Sequence, residues 1–185
     1  MTVHAVMEKV ATLSQNVDSE NLDFKCAADL DHGNVIGLLA KTGTAGEKEV
    51  WTATKPATGA LNDLYMVAEF GTVTVYGEDG NEYVGLTDDP RYAYVKAGKI
   101  WTAFKLHVGD RVRLTAEALA GTKSTNTFVN ASDGVATLTW GASATSSALS
   151  LKLIDTDYIT VGGAGVGSIG GTGRVTSYVF RVVQN

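Results

Sequence analysis

The sequence is most informative in what it withholds. It has one cysteine, Cys26, so no disulfide can form within the chain and a cysteine-built zinc site is not expected. A lone thiol fits a protein folded in a reducing compartment, and a small residue of this kind is expected in a core. Proline occurs only twice, at Pro56 and Pro90. No run approaches the roughly 18 apolar residues of a membrane-crossing helix, so no membrane partner is expected. The start, "MTVHAVMEKVATL", shows neither the basic flank nor the continuous apolar stretch of a secretory signal. Basic residues number 15 against 20 acidic, for a net charge of −5, and they are scattered. Nucleic-acid binding draws on a basic footprint that displaces counterions, so none is expected here.

What is present is glycine, 21 residues of 185, among short alternating segments. "VWTAT", "RVRL", "LSLKLID", "YITV" and "RVTSYVFRVV" alternate apolar and polar residues with many β-formers. Asp79-Gly80 and Asp133-Gly134 each stand between two such runs, which predicts hairpins. "TAEAL" predicts one helical turn after Thr115, ended by Gly121. The fold class expected is all-β: a small β-barrel or sandwich with an N-terminal arm and a second C-terminal β-module. The small polar stretch "GTKSTNT", 121–127, suggests a boundary. The expected division is 1–34 as arm and linker, 35–121 as the first β-module and 122–185 as an outer one. Val3, Val6, Met7, Val10 and Leu13 share one face if the start is helical, while their β-branched character equally allows an extended arm.

Several motifs invite a chemical reading. Gly165-Val166-Gly167-Ser168-Ile169-Gly170 spells the dinucleotide fingerprint G-x-G-x-x-G. That motif needs a helix after it, whose N-terminus faces the phosphates, and an acidic residue well downstream. The residues that follow have period two, so the segment reads as a hairpin loop. Ser168 fails as a nucleophile elbow because Val166 stands where glycine is required. Asp29, Asp31 and Gly33 echo the start of a calcium loop, but the glycine is one place early and Ala40 replaces the closing glutamate. His4, His32 and His107 lack metal-ligand spacing, and His107 reads as a turn residue. The pairs Asp88-Asp89 and Asp155/Asp157 sit in turn-like surroundings and read as solvated. Trp51, Trp101 and Trp140 fit core or rim positions, or alternatively a sugar- or peptide-binding face. No cofactor, metal or catalytic residue is expected.

The blocks "VHAVMEKVATL", "EVWTATKPATGALNDLYMVAEFGTVTVYGE" and "YAYVKAGKIWTAFKLHVGDRVRLTAEALAG" together resemble capsid decoration (cement) or head-fibre proteins of tailed bacteriophages, across about residues 1–121. The resemblance implies a β-rich structural virion protein on the outer capsid surface, assembled in the host cytoplasm. It also implies the major capsid protein as partner and a homotrimer at three-fold positions of the shell. No catalytic residue carries over. On this reading Val3, Val6, Met7, Val10 and Leu13 are the partner-binding residues, and removing residues 1–13 leaves a folded protein that no longer binds the shell. Two other classes remain at this stage: a host-surface or glycan-binding adhesin that uses 122–185 and its aromatics, and a β-sandwich hydrolase, which needs a polar cleft.

Overall fold

The computed structural model describes residues 3–68, 74–76, 81–84, 89–161 and 173–185. The protein is all-β. The strands are β1 (Met7–Ala11), β2 (Asn21–Cys26), β3 (Val35–Lys41), β4 (Trp51–Thr54), β5 (Tyr65–Val67), β6 (Thr74–Tyr76) and β7 (Glu82–Val84). They continue as β8 (Ile100–Lys105), β9 (Arg111–Thr115), β10 (Leu119–Ala120), β11 (Phe128–Ser132), β12 (Val135–Gly141), β13 (Ser150–Val161) and β14 (Gly173–Gln184). Among the described residues the helices are single 3-10 turns. One of them, Ala116–Ala118, begins after Thr115 where the sequence predicts a turn. The Thr115 hydroxyl does not cap it, because that oxygen accepts from the Val6 amide at 3.0 Å.

Five strands close into a barrel in the order β2-β4-β3-β5-β8, with β8 returning to β2. Closure removes the unpaired edges that an open sheet would leave. Phe24, Ile36, Ala53, Val67 and Ala103 fill the interior, joined by Cys26 and by Leu30 and Val95, which bridge each other. Seven strands form a second sheet in the order β1-β9-β14-β13-β11-β12-β10. Alternation decides its buried face: Val112 and Leu114 of β9 and Phe180 and Val182 of β14 point inward, while Arg111, Arg113 and Arg181 point away.

The barrel wall separates two apolar layers. Consecutive residues of one strand face opposite sides, so Ile36, Val67 and Ala103 line the barrel while Val35, Met66 and Phe104 turn outward. The outward set packs with Met7, Leu114, Leu151 and Phe180 in one core shared by barrel and sheet. Gly33 lies at this seam. Its φ is +81°, and a Cβ there would stand 2.6 Å from Cδ2 of the fully buried Leu114. Only glycine meets both conditions without displacing the core.

The Asp133-Gly134 hairpin is present as β11 and β12, with Ser132 opposite Val135 and Gly134 at φ +70°. β6 and β7 flank Asp79-Gly80, with Tyr76 opposite Glu82, and the turn itself lies outside the described residues. "LSLKLID" and "YITV" form one long strand, β13, with a bulge between Leu153 and Asp155. Among the described residues of 1–34, the expected arm and linker is paired into the sheets. Met7–Ala11 is a strand that pairs antiparallel with β9, Met7 opposite Leu114. Nor do the strands sort at residue 121, because β9 belongs to the same sheet as β11–β14. Composition marks loops, whereas sheet membership follows pairing between distant segments.

Candidate functional site

β1 ends the seven-stranded sheet, with β9 on one side and no strand on the other among the described residues. The five N-terminal candidates divide by burial. Met7 points into the shared core and Val6 into a small cluster with Ile159, Val161 and Val175, so neither reaches a partner from the folded state. Val3, Val10 and Leu13 are exposed. Strand geometry explains the division: a helical stripe would put all five on one face, and an extended chain cannot. Val10 is turned outward at the register shift between Lys9 and Ala11, as a bulge re-aims a side chain.

One carboxylate ties the chain after β1 to the 107–110 turn. Asp110 accepts from the Leu13 amide through Oδ1 at 3.0 Å and from the His107 amide through Oδ2 at 2.9 Å. Only 8% of Asp110 is exposed, so both bonds are shielded from water. His107 Nε2 meets Glu20 Oε2 at 2.9 Å, which ties the following 3-10 turn, Asp18–Glu20, to the same corner. These bonds hold Leu13 and the 107–110 turn together. The turn presents Val108, which is 65% exposed. Val10, Leu13 and Val108 are thus exposed apolar side chains on segments that meet near the outer end of β1. Val108 was not among the sequence candidates; its signal is an apolar residue inside the tight turn "HVGD", where nothing packs over it. Lys9, which could guard the edge, instead reaches inward, with Nζ 4.3 Å from the Phe104 ring centre and 3.2 Å from Asn21 Oδ1.

A cleft of about 320 Å³ opens at the barrel strands. Trp51, Leu22, Asn21, Asp23, Thr102, Lys41 and Glu49 line it. Lys41 pairs with Glu49 and lies 5.9 Å from the Trp51 ring centre, and Thr102 donates to Asp23 at 2.8 Å. The other two tryptophans are structural. Trp140 packs against Tyr178 and Phe180 at the margin of the core, and Trp101 donates to the Ala68 carbonyl at 3.2 Å.

The remaining motifs are dispersed by the fold. Asp29 accepts from the Ala97 amide at 2.8 Å, and Asp31 meets His4 Nδ1 at 2.7 Å. The two carboxylates therefore do not converge as in a calcium loop. Among the described residues no group of three or more His, Cys, Asp or Glu side chains has metal-binding geometry. His32 is buried, with Nδ1 2.6 Å from the Ala68 carbonyl, and burial lowers its pKa to about 4. Asp89 is fully buried and held through both oxygens by Arg91, whose own pKa is raised by that hydrogen bond. Its neighbour Asp88 lies outside the described residues, as do residues 165–170 of the glycine fingerprint, with Ser168. The chain after the fingerprint is β14, so no helix follows to meet a phosphate. Asp157 accepts from the Arg113 guanidinium through Oδ2 at 2.8 Å, while Asp155 accepts from the Thr156 amide.

No family model, curated protein or solved structure matches the chain.

Proposed function

We propose that this chain is a structural protein of a tailed-phage head that docks on the outside of the capsid and stabilises the shell. One observation supports the docking mode: the outer edge of β1, unpaired among the described residues, lies near the exposed apolar side chains of Val10, Leu13 and Val108. A strand of the major capsid protein laid along β1 gains main-chain hydrogen bonds, and its side chains cover the apolar surface. The direction of strand addition is the reverse of a donated arm, because the N-terminal segment already completes this protein's own sheet. Attachment of many copies, as a homotrimer or singly, stabilises only the assembled shell, since each contact is lost when subunits separate.

The test is co-sedimentation of the purified protein with empty shells assembled from a tailed-phage major capsid protein. Val10→Asp, Leu13→Asp and Val108→Asp together put three charges on the proposed contact without touching a fully buried side chain. Loss of the apolar contact alone should weaken binding by about 30-fold or more. Retained binding by the triple variant, with an unchanged melting curve, rejects the docking mode. Failure of the parent protein to sediment with the shells rejects the function.

The Trp51 cleft favours a second reading, a glycan-binding adhesin displayed on the virion. An indole beside carboxylate, amide and hydroxyl groups offers both a stacking surface and hydrogen bonds to a sugar. This reading requires Trp51→Ala to abolish binding to host polysaccharide.

A further inference from the structure

Register brings three cations side by side on the solvent face of the seven-stranded sheet. β9, β14 and β13 are neighbours; Arg111 lies opposite Arg181, and Arg181 lies opposite Lys152. All three are exposed, while Val112, Phe180 and Leu151, each one step along its strand, point to the core. Strands lie about 4.8 Å apart, so the row spans about 10 Å. Like charges directly opposite one another weaken a sheet. Nothing local offsets the repulsion, because none of the three forms an ion pair among the described residues. Arg113, two residues along β9 on the same face, shows the contrast: Glu8 and Asp157 each hold it at 2.8 Å. In a chain of net charge −5 this row is a local exception.

We propose that Arg111, Arg181 and Lys152 form a docking site for a cluster of carboxylates on a partner protein. Two of the three are arginines, whose planar fork matches a carboxylate with two parallel hydrogen bonds. Phe128, half-buried opposite Lys152, extends the row with an apolar contact. Glu8, Asp155 and Asp157 flank the row on the same sheet. A long polyanion such as a nucleic acid would run across them, whereas a compact acidic patch would not. The row adjoins Ala11 of β1, opposite Arg111, so it continues the surface beside that strand's edge. The site stands whether or not the partner is a capsid protein.

The experiment uses the full chain and a fluorescein-labelled hexaglutamate peptide, followed by fluorescence anisotropy at low ionic strength. The variant Arg111→Gln/Lys152→Gln/Arg181→Gln removes the row. The comparator Lys48→Gln/Lys55→Gln/Arg174→Gln removes the same charge from exposed positions elsewhere. The row variant should bind at least about tenfold more weakly, the loss expected when charge-assisted hydrogen bonds disappear, and the comparator should bind like the parent. Equal losses in both variants, or no peptide binding by the parent, overturn the site. Tighter binding of a single-stranded DNA oligonucleotide than of hexaglutamate overturns the choice of partner. A second readout separates binding from structure: Arg181→Thr should raise the melting temperature by relieving repulsion, and a fall would show the arginine to be structural.

Discussion

His32 is an imidazole held where a positive charge is costly. Burial is the main cause of its lowered pKa and the charge of His4 adds to it, while the bond to the Ala68 carbonyl works in the other direction. In the unfolded chain the same group titrates near 6.5, so between pH 6.5 and about 4 the unfolded state binds a proton that the folded state refuses. Stability from this residue is complete above pH 6.5 and declines as pH falls, by about 1.4 kcal/mol per pH unit and about 3 kcal/mol in all. Urea denaturation across that range should show the slope, and His32→Gln should flatten it. The sequence gives little warning of this. "DLDHGN" reads as a turn, which it is, but burial of its histidine depends on Trp101, whose ring meets the imidazole edge-on at 6.0 Å. Gly33 is comparable: its glycine marks a turn, and its closeness to Leu114 is invisible without the fold.

Hairpin pairings between neighbouring strands were legible, and pairings between distant strands were not. Asp133-Gly134 identifies its hairpin because the turn residues and both strands fall within one short window. β13 and β14 alternate clearly enough to be read singly. β1 could not be read as a strand of the second sheet, because its partner β9 lies about 100 residues away and its apolar spacing also fits a helix. The difference has a direct consequence for truncation. Removing residues 1–13 takes Ala5, Val6 and Met7 out of buried positions and strips β1 from β9. A buried methionine alone contributes about 2–5 kcal/mol, against a total stability of about 5–15 kcal/mol. The truncated protein should therefore be unfolded or strongly destabilised by circular dichroism, where the sequence alone suggested a folded remnant. Of the docking surface, Val10 and Leu13 were legible as apolar residues near the start; Val108 needed the Asp110 clamp to bring it alongside.

For the molecule as a whole, the shared core outweighs the division that composition suggests. Val35, Met66 and Phe104 of the barrel pack against the same cluster as Leu151, Phe180 and Val182 of the sheet. Neither part buries its apolar face without the other, so the chain should unfold in one calorimetric transition. The isolated segment 122–185 should lack the dispersed NMR spectrum of a folded domain. Two separate transitions, or a folded fragment, would show that the parts are independent. The all-β class was readable from alternation and turn chemistry because both are local. Which strands share a sheet was not, because pairing such as Arg111 with Arg181 is set by the packed core and not by neighbours in sequence.

β14 lies between β9 and β13 in space but follows both in sequence. During synthesis, β1 and β9 emerge and can pair while residues 116–172 are still being translated. Throughout that interval β9 offers the ribosome's surroundings an open flank that only β14 will later fill. The barrel, complete by Lys105, is already available to shelter the apolar side of this unfinished pair. The order of the chain thus makes the nascent protein dependent on its early half as a scaffold, and makes the passage from β9 to β14 the stage at which a chaperone has most to do.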